Sequence, residues 1–258
     1  MNIGIIGSGW LAQAMARAWR AKGQITLTTR DSEKQQQLID QGFNCVIYEL
    51  GDELPFLASI DTLIIATTSK QLNAHQSLIK HLEQFPDLKI LFTSSTSVYP
   101  NDSKTHAEDS KQVITDHPLY LIEQCLQQHP ETTVIRCGGL IGPGRHPGRF
   151  FRDKPIPSPH APVNLLPLVD AVGVYWFIIE QNIGNMTINA CHHEHPTKGE
   201  YYPKMAKSIG LKPPTISQHN SNPGKTVNSR LLTEALGYAM QGSIWEIDVQ
   251  SNIWVKPR

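Results

Sequence analysis

Apolar residues fall along this chain in two alternating patterns: short unbroken runs, and longer segments in which they recur at helical spacing. Ile3, Ile5 and Ile6 make the first run, which suits a buried parallel strand. Ala14, Met15, Ala18 and Trp19 then recur at helical spacing, and Gly23 ends that helix. Gln24 to Thr29 is a second short strand, followed by a polar helix from Ser32 to Gln41. Asn44 to Tyr48 is a third strand, and the run TLIIA after Asp61 a fourth, apolar throughout as a buried parallel strand is. Leu72 to Phe85 reads as a helix stopped by Pro86, and Leu88 to Thr93 as a fifth strand. Gln112 to His129 is expected to be helical, with an irregularity at Pro118, and Thr132 to Cys137 is a sixth strand.

Such alternation predicts an α/β fold of Rossmann type, a doubly wound parallel sheet. After Cys137 the pattern changes. Residues 138–167 are loop-rich, with Pro147, Pro155, Pro157, Pro159 and Pro162 between Pro143 and Pro167, as in a surface loop or lid near a ligand. Leu168 to Gln181 is an apolar helix and Asn185 to Ala190 a late strand; Tyr201 to Ile209 and Ser229 to Leu236 are helices of a small C-terminal lobe. The expected division is a dinucleotide-binding domain over residues 1–140, with the late strand 185–190 added to its sheet. A substrate lobe takes residues 141–184 and 191–258.

The chemistry starts between the first strand and the first helix, where Gly7-Ser8-Gly9-Trp10-Leu11-Ala12 reads as G-x-G-x-x-A. Gly7 permits the tight turn, Gly9 lets a pyrophosphate approach the backbone, and Ala12 is small enough for close packing of helix on strand. The phosphates would sit on unpaired N–H groups at the positive end of the helix. At the end of the second strand, Thr29 is followed by Arg30, Asp31, Ser32 and Lys34. A cation here suits a ribose 2′-phosphate, so NADP is the expected cofactor. NAD is the alternative, with Asp31 taking the ribose diol; otherwise Asp31 and Ser32 cap the next helix. Ala66 and Thr67, ending the fourth strand, and Ser94, ending the fifth, complete the expected cofactor contacts.

Charge and composition exclude several partners. The chain has 23 basic and 23 acidic residues and no basic stripe, so nucleic acid is not expected. Its apolar runs are too short or too interrupted for a membrane helix, and its N-terminus enters a strand without a basic leader. Cys45, Cys125, Cys137 and Cys191 are scattered, with no C-x-x-C pair, which fits reduced thiols and a cytoplasmic location. A monomer or homodimer acting on a small molecule is expected. Cys191-His192-His193-Glu194-His195 has metal-ligating residue types, but the spacing matches no standard zinc pattern, and no metal is expected.

Four stretches resemble the extended short-chain dehydrogenase/reductase family, which includes nucleotide-sugar epimerases and dehydratases. They are SSTSVYP (Ser94 to Pro100), VIRCGGLIGPGR (Val134 to Arg145), VNLLPLVDAV (Val163 to Val172) and SRLLTEALGY (Ser229 to Tyr238). The first βαβ alone would equally suit a β-hydroxyacid dehydrogenase or a pyrroline-carboxylate reductase, but those lack the later motifs. The resemblance implies NAD(P)-dependent chemistry, with Ser95 hydrogen-bonding the substrate oxygen. It also implies a Tyr-x-x-x-Lys pair after the fifth strand, in which lysine lowers the pKa of an acid/base tyrosine. That pair is absent: Asp52, Ser103, Gln124, Ile179, Met205, Ala206 and Gly242 stand four residues after the seven tyrosines. Lining up Glu123 and Gln124 with the family's helix puts Thr115 and Leu119 in the two places. The chain thus resembles an atypical branch of the family.

Tyr120 is a substitute candidate acid, and Arg145 and His146, in the loop after the sixth strand, are candidates to meet an anionic substrate. Two functions remain open: an NADP-dependent oxidoreductase or epimerase-like enzyme using Ser95 and another acid/base, and a non-catalytic dinucleotide-binding redox sensor or regulator.

Overall fold

A computed structural model describes residues 1–152, 154–217 and 222–247; residues 248–258 of the expected C-terminal lobe lie outside the described residues. Seven parallel strands form the central sheet: β1 (Asn2–Ile6), β2 (Gln24–Thr29), β3 (Asn44–Ile47), β4 (Thr62–Ile65), β5 (Lys89–Ser95), β7 (Thr132–Cys137) and β10 (Thr187–Ala190). A short β6 (Thr105–His106), β8 (Gly139–Ile141) and β9 (Leu165–Pro167) fall between them, and β11 (Thr226–Val227) follows. The sheet order is β10-β7-β5-β4-β1-β2-β3. Direction of winding therefore reverses at β1 and β4, whose C-terminal ends flank the crevice where ligands bind in open α/β sheets.

The apolar runs bury both faces of this sheet, each residue going to the side its register dictates. Ile3, Ile5, Ile64 and Leu91 point into one layer, with α1 (Trp10–Ala18) and α5 (Leu168–Glu180). Ile6, Leu63, Ile65, Ile90 and Phe92 point into the other, with α3 (Leu72–Leu82) and α4 (Pro118–Leu126). The polar helix α2 (Ser32–Asp40) contributes one buried residue, Leu38, to the first layer. A third cluster, with Ile156, Val163, Leu165, Tyr201, Tyr202 and Met205, joins the proline-rich stretch to α6 (Lys198–Ser208).

Two expected helices differ. Residues 112–117 are not helical, and α4 begins at Pro118, with His117 as its N-cap in an extended conformation (φ −67°, ψ 127°). Proline lacks the N–H a continuing helix needs and disfavours helical backbone just before it, yet its fixed φ suits the first helical position. The segment expected as a helix over Ser229 to Leu236 is a single π turn, Leu231–Ala235. Its tail is held by Tyr238, whose hydroxyl donates to the buried Asp170 carboxylate at 3.2 Å. The N–H groups of Gln241 and Gly242 donate to the same carboxylate at 2.7 and 2.9 Å.

Candidate functional site

The crevice at the switch point is a cavity of about 760 Å³, within the usual size of a ligand pocket. Gly7, Ser8, Gly9, Thr29, Arg30, Ala66 and Thr67 all line it. Gly7 sits at φ +123°, and a Cβ there would come within 2.6 Å of the Ala66 carbonyl oxygen, so only glycine fits between β1 and β4. Its N–H donates to Thr28 Oγ1 at 2.9 Å.

Gly9 is the N-cap of α1, and no side chain caps that end. A Cβ on Gly9 would meet no atom within 4 Å. Leu11 and Ala12 follow in the first turn, where helix geometry supplies no intrahelical acceptor for the N–H groups. This open, uncapped helix start has the donor chemistry a pyrophosphate needs. Leu11 and Ala12 themselves are buried, and their side chains pack in the core. Trp10 reaches toward the loop after β8, where its indole N–H donates to the Pro143 carbonyl at 2.9 Å.

At the far end of the cavity, Arg30 and Lys34 lie beside Glu49 from the segment after β3. Arg30 is exposed and makes a 3.6 Å ion pair with Glu49. Asp31 caps α2, its Oδ1 accepting from the N–H groups of Glu33 and Lys34 at 2.9 and 3.1 Å. Asp31 thus serves as a helix cap, and Arg30, Asp31 and Lys34 all line this end of the cavity. Lys70, Gln71 and Tyr48 also line the cavity, and no local motif marks them in the sequence.

The other expected site residues stand outside this lining. Ser94, expected as a cofactor contact, does not line the cavity. It lies on the strand face opposite that of Thr93 and Ser95, and its buried hydroxyl donates to Glu123 Oε1 at 2.5 Å. Glu123 in turn accepts from Arg136 at 2.7 Å, and Arg136 Nη1 donates to the Tyr99 hydroxyl at 2.8 Å. Ser95 ends β5, partly exposed, with Oγ accepting from the Ser97 N–H at 3.1 Å. Tyr120 on α4 packs half-buried against Val98, Tyr99, Cys191 and Val227. His146 is buried and caps a short turn, its Nδ1 accepting from the Gly148 N–H at 3.1 Å; burial holds it below the ordinary histidine range. Arg145 lies over the Trp10 ring, 5.2 Å from its centroid.

His192, His193 and Glu194 bring their ligand atoms within 4.8 Å of one another. His192 Nδ1 also accepts from the Glu194 N–H at 3.1 Å, and Glu194 Oε2 accepts from the Trp245 indole N–H at 2.9 Å. All four cysteines are free and buried. No helix among the described residues is long and apolar enough to cross a membrane.

No protein-family model matches the chain. Protein YeeZ of Escherichia coli (strain K12) is 33% identical over 262 residues, spanning 93% of this chain and 96% of that protein. A functionally unknown conserved protein from Silicibacter pomeroyi DSS superposes with a TM-score of 0.80 at 19% identity, over 95% of each chain. The dTDP-glucose 4,6-dehydratase of Bacillus anthracis str. Ames, solved with NAD, gives 0.78 at 12% identity, over 95% of this chain and 93% of that one. The UDP-N-acetylglucosamine 4-epimerase of Bacillus cereus gives 0.74 at 15%, with coverage of 95% and 93%. These three solved structures therefore share the fold of this chain.

Proposed function

We propose that this chain, which belongs to the family of Protein YeeZ, binds NADP(H) in the switch-point crevice and reacts a small carbonyl or alcohol compound beside it. One observation carries the reading: α1 starts without a side-chain cap above a glycine whose Cβ position is empty, inside a cavity of ligand size. Gly7, Ser8, Gly9 and the N–H groups that follow would hold the pyrophosphate, and Ala66 and Thr67 the other side of the dinucleotide. The dTDP-glucose 4,6-dehydratase that shares this fold was solved with NAD; Arg30 and Lys34 favour its 2′-phosphorylated form here. The bound nicotinamide would supply or accept a hydride. Ser95, partly exposed at the end of β5, would hydrogen-bond the substrate oxygen.

A second reading, a dinucleotide-binding sensor without turnover, is favoured by the absence of any tyrosine with a lysine four residues on. Both readings need the nucleotide. Gly9→Asp places a side chain and a negative charge at the pyrophosphate position. Nucleotide fluorescence titration should detect NADPH binding by the wild type and none by the variant. Equal binding by both would remove the crevice as the cofactor site.

A further inference from the structure

The turn that follows β10 carries a cluster of side chains that the crevice does not use. It lies at the C-terminal end of the outermost strand, on the same edge of the sheet as the crevice. The turn is clasped along its length. The Cys191 N–H donates to Ser229 Oγ at 2.9 Å, and the His192 N–H to the Leu165 carbonyl at 2.7 Å. Val163 holds the far end: its N–H donates to the Pro196 carbonyl at 2.9 Å, and its own carbonyl lies 3.0 Å from His195 Nδ1. A backbone fixed in this way presents its side chains in one arrangement.

Three consecutive residues converge there. Among the described residues, His192, His193 and Glu194 are the one group of three histidine, cysteine or carboxylate side chains whose ligand atoms meet within 4.8 Å. The rings of His192 and His193 stack with centroids 4.2 Å apart, the first buried and the second exposed. His192 Nδ1 accepts the Glu194 N–H, so it carries a lone pair and no proton, the state metal ligation requires. Glu194 Oε1 lies 3.9 Å from that nitrogen. Such a gap is too wide for a hydrogen bond, and it is close to the span of two bonds of about 2.0–2.2 Å made to one zinc ion. The other oxygen, Oε2, takes the Trp245 indole N–H. Trp245 is itself held edge-on to the Tyr201 ring and under the Lys204 ammonium. The carboxylate is thus oriented from behind, as the ligands of metal sites usually are. The Cys191 thiol takes no part, donating to the Leu165 carbonyl at 3.6 Å.

We propose that His192, His193 and Glu194 bind one Zn²⁺ ion, with a fourth coordination position open to water or to a ligand oxygen. Two imidazoles and a carboxylate are a donor set that zinc takes readily. Structural zinc sites close with four protein ligands, whereas three leave an exchangeable position. The ion takes the Nδ1 lone pair in place of the Glu194 N–H, and rotation of the exposed His193 side chain brings in the third ligand. The three ligands are consecutive and so match no standard zinc spacing; the turn after β10, and not the spacing, brings them together. The site is separate from the nucleotide crevice and stands whether or not that crevice is filled.

Calorimetric titration of the full chain with Zn²⁺, after a chelator has been used and removed, tests this. One equivalent should bind saturably to the wild type. Trp245→Phe keeps an aromatic ring and loses the N–H that orients Glu194, so it should weaken binding by about 10–100-fold. His193→Ala removes a ligand that is exposed, which spares the core, and Glu194→Gln removes the carboxylate charge; each should weaken binding further than Trp245→Phe does. No saturable equivalent in the wild type, or one that either ligand variant retains at full affinity, overturns the proposal. Co²⁺ in place of Zn²⁺ supplies a visible spectrum as the second arm. Added imidazole should shift that spectrum by taking the open position. A spectrum that imidazole leaves unchanged would overturn the open position, and a cobalt–thiolate absorption would overturn the ligand set by making Cys191 a ligand.

Discussion

At the tip of β2, Arg30 combines three properties that bear on nucleotide choice: it is exposed, it lines the crevice, and its partner Glu49 sits 3.6 Å away. An exposed pair of this kind is worth about 0.2–1 kcal/mol. A 2′-phosphate offers Arg30 a charge-assisted contact of about 1.5–3 kcal/mol. The phosphate should therefore win Arg30 from Glu49. Arg30→Ala should weaken NADPH by about 10- to 100-fold, at about 1.4 kcal/mol per tenfold, and leave NADH nearly unchanged. Glu49→Gln should tighten NADPH by about fivefold or less, the worth of the ion pair it removes. Fluorescence titration of both variants with both nucleotides checks this, and a wild type that prefers NADH would reassign the ribose to Asp31. The place of Arg30 on the crevice was legible because it immediately follows β2, which ends beside the glycine motif. The contact of Lys225 with the Tyr99 carbonyl was not: Lys225 belongs to no motif, and only the pairing of β11 with β6 brings it there.

Among the elements, the inner strands of the central sheet were readable because burial on both faces leaves short aliphatic runs, as in β1, β4 and β5. Expected and observed bounds agree for Gln24–Thr29 and Thr132–Cys137. The helix α4 was misplaced because helical spacing of apolar residues continues on both sides of Pro118, and the proline overrides it. The short β6 and β11 carry two residues each, too few for a periodicity to register. What fastens α4 to the sheet is the buried Glu123–Arg136 pair, with Ser94 and Tyr99 completing its hydrogen bonds. Glu123 is fully buried, so removing its charge strands the Arg136 guanidinium in the core. Glu123→Gln should cost about 3–5 kcal/mol in urea unfolding. The double variant Glu123→Leu with Arg136→Met should lose clearly less than the sum of its single changes, since no unpaired charge is left. Additive losses would mean that the two side chains are not coupled.

For the molecule as a whole, the motifs that resemble the extended dehydrogenase/reductase family turn out to meet one another inside the fold. Tyr99 of SSTSVYP binds Arg136 of VIRCGGLIGPGR, and Asp170 of VNLLPLVDAV binds Tyr238 of SRLLTEALGY. These contacts are architectural, which is why the motifs spoke for the fold and not for the chemistry. The same dense burial sets the response to acid. His75, His117, His146, His192 and His195 are all held below their ordinary value of 6.5, burial being the largest cause in each. His75 is the clearest case: fully buried on α3, its Nδ1 donates to the Gln71 carbonyl at 2.8 Å, and its Nε2 has no partner among the described residues. Below 6.5 the unfolded chain binds protons that the folded chain refuses, so stability is fully present above that pH and falls as the pH drops. Each such histidine can contribute a slope of at most about 1.4 kcal/mol per pH unit. Urea midpoints should fall between pH 6.5 and 5.5, where ordinary carboxylates, at about 4, stay ionised. His75→Leu should shallow that fall while leaving the midpoint near pH 8 little changed, because leucine fills the site without a proton to take up. A wild-type midpoint that stays flat over this interval would mean that these rings accept protons in place, and that the core opens to water around them.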